Sequence, residues 1–217
     1  MNGADILIRT LLEGGVDVCF ANPGTSEMHF CAALDKNEGM RCILCLFEGV
    51  VTGAADGYGR MSDKPAATLL HLGPGLGNGV SNLHNAKKAR TPIVNIVGEH
   101  ATYHIEFDAP LTADIEGIAR PVSDWVRTSS DTKSIASDTA EAIAAARSYP
   151  GAISTLILPA DTAWGEADDV ATVPAQKRPL TVSEAAVEEC AAALRSGEPT
   201  MLLLGGRALR APALEIA

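Results

Sequence analysis

Apolar positions along the chain switch between a helical and an extended period. Ile6, Leu7, Leu11 and Leu12 fall on one face of a helix that Gly14-Gly15 ends. Val16 to Phe20 reads as a buried strand running into the turn Ala21-Asn22-Pro23-Gly24-Thr25, after which Ser26 is placed to cap a helix through about Asn37. A second strand is predicted over Arg41 to Phe47. A helix follows it directly, with Val50, Val51, Ala54, Ala55 and Tyr58 on one side. The third strand, Ala66 to His71, meets the run Gly73-Pro74-Gly75-Leu76-Gly77-Asn78-Gly79, read as a turn. A helix on Val80, Leu83 and Ala86 and a strand at Ile93 to Val97 come next. Residues 100–132 show no regular period. Asp138 to Glu141 offers a capping-box start to an alanine-rich helix, and Ala152 to Leu158 is a further apolar strand.

Strands separated by helices of this length imply an α/β fold, a parallel sheet flanked by helices with right-handed crossovers, over residues 1–165. The acidic stretch 166–180, with Pro174 and Pro179, reads as a linker. Residues 181–217 carry a helix start at Thr181-Val182-Ser183-Glu184 and a strand at Met201 to Leu204 before Gly205-Gly206. So short a segment cannot bury itself, and it is read as the truncated start of a second α/β domain.

The composition is 47% apolar and 4% aromatic with 20 glycines, the profile of a sheet packed by Ala, Val, Ile and Leu against close helices. A net charge of -10 argues against a nucleic-acid partner, which needs clustered Lys and Arg. No apolar run reaches the length of a bilayer span, and Met1-Asn2-Gly3-Ala4-Asp5 lacks the basic start of a signal peptide, so a cytoplasmic location is expected and no membrane partner. The five cysteines lie in apolar runs and read as reduced, buried thiols. Cys42 and Cys45 form a C-x-x-C, but within a strand an odd separation sends them to opposite faces, which disfavours a shared metal; no metal ligands are assigned.

Ligands of open parallel sheets sit at the carboxyl ends of the strands, so three strand-to-helix turns matter: Asn22 to Ser26, Phe47-Glu48-Gly49 and His71 to Asn78. Glu48 places a carboxyl group among apolar neighbours at a helix start. Burial raises such a pKa and the helix terminus favours the anion, so the group can share a proton with a ligand nitrogen. A glutamate that only stabilises the first helical turn fits the local pattern as well. The glycine run is not a dinucleotide fingerprint, because Asn78 stands where the last glycine of G-x-G-x-x-G is needed.

Glu48 followed by Gly53-Ala54-Ala55-Asp56-Gly57-Tyr58-Gly59-Arg60, together with Asn22-Pro23-Gly24 and with Gly73-Pro74-Gly75 plus Asn78, resembles the thiamine diphosphate enzymes of the acetolactate synthase, pyruvate oxidase and benzoylformate decarboxylase group. The resemblance implies the thiamine diphosphate-binding fold of the pyrimidine domain. It assigns Glu48 to the N1′ nitrogen of the aminopyrimidine, where it promotes the tautomer that deprotonates C2 of the thiazolium, and lines the pyrimidine slot with Pro23, Gly24, Pro74 and Asn78. His71 and Ser26 point within this group to benzoylformate decarboxylase-like enzymes: the histidine would shuttle protons and the serine would hold the substrate carboxylate. A hydrogen-bonded structural histidine and a capping serine remain the plainer alternatives. Glu99 stands where relatives often carry glutamine, so no substrate contact is carried over there.

The family also implies a 2-oxo acid substrate, a homodimer or homotetramer, and Mg²⁺ that holds the diphosphate on a separate C-terminal domain bearing a G-D-G segment. No such segment occurs in these 217 residues, so the diphosphate-binding domain is expected to be absent and the chain inactive by itself. The function expected is decarboxylation of 2-oxo acids, with ligation of the product open to it. An acetolactate synthase-type condensation of two 2-oxo acids, a non-catalytic assembly module and a nucleotide-binding protein are the alternatives.

Overall fold

In the computed structural model, which describes residues 1–176 and 179–216, the chain runs α1 (Gly3–Glu13), β1 (Val18–Asn22), α2 (Met28–Lys36), β2 (Arg41–Leu44), α3 (Glu48–Ser62), β3 (Ala66–Leu70), α4 (Leu72–Lys88), β4 (Ile93–Glu99), α5 (Ile115–Ala119), β5 (Trp125–Thr128), α6 (Ile135–Ala146), β6 (Ile153–Pro159) and α7 (Ala160–Trp164). The six strands pair in parallel in the order β2-β1-β3-β4-β6-β5. Strands β3, β4 and β6 are buried along their whole length and carry no charged residue except Glu99 at the tip of β4. At the β2 edge, Arg41, Cys42 and Leu44 are exposed.

Successive side chains of each strand feed two cores. In β4, Val94 and Ile96 join Leu7, Leu11, Phe30 and Ile143 beneath α1, α2 and α6. Ile93 and Val97 join Val51, Ala55, Leu76, Leu83 and Ile115 beneath α3, α4 and α5. A polar ladder crosses this second face. Thr68, Asn95 and Thr155 are in register on β3, β4 and β6. The Thr68 hydroxyl donates to Asn95 Oδ1 at 2.7 Å, and Asn95 Nδ2 donates to Thr155 Oγ1 at 3.0 Å. The Ser123 hydroxyl meets Thr155 Oγ1 at 2.7 Å.

The structure departs from the sequence reading at several points. The run Gly73 to Gly79 is the first two turns of α4, not a turn before it: Pro74 falls at the third helical position, where an N–H has no intrahelical acceptor to lose. Residues 100–132 contain α5 and β5, which is half-buried and carries Arg127, so it lacks an apolar run. Helix α6 starts at Ile135, and Asp138 lies inside its first turn, 2.8 Å from Arg127. Strand β2 stops at Leu44, and Val50 of α3 is exposed. Of the five free thiols, Cys19 and Cys45 are buried while Cys42 and Cys190 are exposed.

Contacts divide the chain into the units Met1–Gln176 and Lys177–Ala217. Part of the stretch read as a linker belongs with the first: Ala167 is buried, its N–H donates to Met1 O at 2.9 Å, and Val173 packs on the core. Its positions 177 and 178, like residue 217, lie outside the described residues. The second unit holds α8 (Glu184–Arg195), whose N-cap Ser183 accepts the Ala186 N–H, and α9 (Ala211–Leu214). Met201 to Leu204 do not form the predicted strand; a lone strand has no ladder to satisfy its backbone.

Replacing Asn95 with Ala leaves two buried hydroxyls short of a partner and opens a void, so it is expected to cost about 3 kcal/mol of stability in urea denaturation. A loss below about 1 kcal/mol would show that the ladder contributes little.

Candidate functional site

From β1 the chain passes outward to β2, and from β2 it returns across the sheet to β3 on the other side of β1. The strand order therefore reverses between β1 and β3, where an open α/β sheet forms a crevice at its carboxyl edge. The loop after β1, the start of α3 and the start of α4 all open there.

Phe47 is extended and precedes α3, so Glu48 is the first helical residue, within the favourable field of the helix terminus. Its Oε2 accepts a hydrogen bond from Asn78 Nδ2 of α4 at 3.0 Å. Glycines let the two helices approach closely. A Cβ on Gly79 would lie 2.9 Å from Thr52 Cγ2 and one on Gly53 3.1 Å from Asn82 Nδ2. In the room this leaves, Thr52 Oγ1 donates to Gly79 O at 3.1 Å and Asn82 Nδ2 to Gly49 O at 2.6 Å. Asn22 Nδ2 donates to Cys45 O at 2.7 Å, which ties the loop after β1 to the segment leading into Glu48.

The Ala54 to Arg60 motif does other work. Asp56 lies about 12 Å further along α3 at 1.5 Å per residue. It accepts from Arg60 Nε and Nη2 at 2.8 and 2.7 Å and from Thr91 Oγ1 at 2.6 Å, pinning α3 to the loop before β4.

Gly75 joins Glu48 to His71: a Cβ added there would sit 3.3 Å from Glu48 Oε1 and 3.5 Å from His71 Cβ. His71 precedes α4, and the next residue, Leu72, is buried with φ at +54°, a conformation that costs a non-glycine residue roughly 1–3 kcal/mol. The His71 ring lies over Gly24, where a Cβ would come within 2.4 Å of it. Its Nδ1 is 2.7 Å from Oε2 of Glu27, a residue the sequence reading did not single out. The G-x-x-E spacing of Gly24 and Glu27, which resembles a capping box, was the available signal.

Glu27 also accepts the Gly24 N–H at 2.7 Å. Burial pushes its carboxyl above the ordinary range, against the Gly24 N–H and His71, which favour the anion. Burial likewise raises Glu99, at the tip of β4, although its Oε1 accepts the His100 N–H at 2.7 Å.

Glu48, Asn78 and Gly75 thus stand together at the helix starts, and His71, Gly24 and Glu27 adjoin them. Pro74 is exposed on the first turn of α4, and Pro23 is half-buried after β1. Ser26 does not cap α2. It is half-buried inside a short 3-10 turn, Thr25–Glu27, whose N-cap is Gly24, with Glu27 at the N-cap of α2. Among the described residues no group of three or more His, Cys, Asp or Glu is arranged to hold a metal ion.

Residues 1–119 match the family described as "Thiamine pyrophosphate enzyme, N-terminal TPP binding domain". The chain is 58% identical over 218 residues to "Putative acetolactate synthase large subunit IlvX" of Mycobacterium tuberculosis, covering 100% of this chain and 42% of that protein. It is 33% identical over 153 residues to the benzoylformate decarboxylase of Pseudomonas aeruginosa, covering 70% of this chain and 28% of that one. The chain therefore spans less than half the length of these relatives. A solved thiamine diphosphate-dependent 4-hydroxybenzoylformate decarboxylase of Rhodococcus jostii shares the fold with a TM-score of 0.79 and 22% identity, over 90% of this chain and 38% of that one.

The raised Glu99 pKa gives a testable sign. A carboxyl whose pKa is higher in the folded state favours folding below its ordinary range, and that contribution is lost as pH climbs through the raised value. Glu99→Gln keeps an acceptor for the His100 N–H and removes the titration. Its stability relative to the parent should therefore increase as pH climbs from about 4.5 through the raised value in denaturant titrations. A difference that stays flat with pH would place the charge of Glu99 in solvent.

Proposed function

This chain belongs to the thiamine pyrophosphate enzyme family, in its N-terminal TPP-binding domain, and we propose that it forms the pyrimidine-binding half of the cofactor site in an enzyme that decarboxylates 2-oxo acids in the manner of benzoylformate decarboxylase, with ligation of the product open to it. The observation that carries the reading is the Glu48 carboxylate, oriented by Asn78 and left open by Gly75.

The donor set fits an aminopyrimidine. Glu48 offers an oxygen that can share a proton with a ring nitrogen, and a methyl group at position 75 would already crowd that oxygen at 3.3 Å. When bound, thiamine diphosphate supplies the carbanion chemistry that side chains lack. Glu48 holds a proton at the ring nitrogen, and Asn78 fixes the carboxylate that holds it. Pro23, Gly24 and Pro74 shape the slot. His71 carries a proton to the substrate's reacting carbon, and the Ser26 hydroxyl holds the substrate carboxylate.

Mg²⁺ and the diphosphate are assigned to a separate domain of the complete enzyme, a cytoplasmic homodimer or homotetramer. The exposed Leu44, Leu46, Phe47 and Val50, immediately around Glu48, support a second subunit covering this edge. No helix among the described residues is long and apolar enough to cross a membrane.

The 58% identity to a protein named for acetolactate synthase favours a second reading, condensation of two 2-oxo acids. Product assays of the complete enzyme with pyruvate and with benzoylformate separate the two. In either case Glu48→Gln should lower turnover by roughly 10²- to 10⁴-fold at saturating cofactor while the fold is retained. Turnover equal to the parent's would remove Glu48 from the reaction and the reading with it.

A further inference from the structure

Below His71 lies a carboxyl group buried more completely than its surroundings require. The Glu27 side chain is 1% exposed, and its Oε1 finds no hydrogen-bond partner in the protein. Two glycines make its position possible. A Cβ on Gly98 would fall 1.6 Å from Oε1, so this oxygen occupies space that any other residue would fill; a Cβ on Gly24 would strike the His71 ring. A carboxyl in such a place costs desolvation, yet Oε2 gathers two contacts there, the Gly24 N–H and His71 Nδ1, both at 2.7 Å.

The groups around it come from three strand ends. Gly24 follows β1, His71 follows β3, and Glu99 and His100 close β4, with Glu99 close enough to Glu27 for their charges to repel. A helix cap alone would not need His71, since the Gly24 N–H already occupies Oε2. A buried core histidine would have both nitrogens enclosed. The His71 side chain is instead 22% exposed, and Nε2 has no protein partner among the described residues.

We propose that Glu27 is the positioning residue of His71, accepting the Nδ1–H so that Nε2 is the nitrogen presented to the crevice. This rests on reading His71 as the proton carrier. In the step it serves, the Nε2–H bond of the imidazolium breaks and a C–H bond forms at the substrate's reacting carbon. The ring is left neutral with its proton on Nδ1, and Nε2 then takes its next proton from water. Glu27 holds the ring in one orientation through both halves.

The first test needs no catalysis. Nitrogen-15 spectra of this chain with labelled histidine, in which His71→Ala identifies the resonance, should show neutral His71 protonated at Nδ1, and Glu27→Gln should yield a mixture of tautomers. The second uses the complete enzyme with thiamine diphosphate, Mg²⁺ and benzoylformate. Glu27→Gln should lower kcat about 10- to 100-fold with KM changed less than about 3-fold and the acidic limb of the pH profile displaced, while Glu27→Asp restores part of the rate. Neutral His71 protonated at Nε2 in the parent overturns the proposal, as does a Gln variant with parental kcat and pH profile. Unimpaired turnover in His71→Ala removes the proton-carrier reading first and the proposal with it; a slow His71→Ala beside a normal Glu27→Gln removes the proposal alone.

Discussion

The crevice depends on how closely α3 and α4 can approach. Side chains larger than hydrogen at positions 53 and 79 would hold the helices apart, and the bonds from Thr52 to Gly79 O and from Asn82 to Gly49 O would open. On α3 those contacts fall at Gly49, Thr52 and Gly53, within about a turn and a half of Glu48, so they set the distance at which Asn78 meets its carboxylate. A hydrogen bond of 3.0 Å between side chains on two helices is a consequence of backbone packing. Its direction follows from chemistry, since a carboxylate accepts and an amide nitrogen donates.

A second constraint runs against stability. Leu72 holds a left-handed backbone, and Glu27 and Glu99 are carboxyls whose burial disfavours their charge. All three lie at the carboxyl edge of the sheet, while the opposite character, apolar layers and a fully bonded polar ladder, fills its middle. These three burdens share one edge, and the sheet below supplies the stability that tolerates them.

Much of this was legible in the sequence. The parallel sheet followed from the alternation of strand and helix periods; Glu48 and His71 stood out because each sits where an apolar strand gives way to a helix, and Asn78 through the family resemblance. What escaped notice has physical causes. A glycine-rich run reads as a loop unless tertiary packing rewards small residues in a helix, as Gly75 and Gly79 show. β5 is short, half-buried and built on Trp125 and Arg127, whose ring and guanidinium stack at 5.1 Å, so it has no apolar alternation. Glu27 was not singled out, since its partner lies 44 residues away. Met201 to Leu204 had the right residues for a strand and nothing to pair with.

The motif that made the family recognisable is mostly scaffold. Asp56 holds Arg60 and Thr91, and Gly59 allows Thr91 and Pro92 against α3, none of them in the crevice. Family membership is therefore written in packing, which any reaction built on this domain must keep. On the function proposed above, the choice of reaction falls instead to a few side chains at the carboxyl edge, His71, Glu27 and Ser26, none of which belongs to the two apolar cores. One chain can therefore align with relatives named for a synthase and for a decarboxylase, because what aligns is the scaffold; on the proposed reading, the few side chains beside the cofactor slot are what would separate the two reactions.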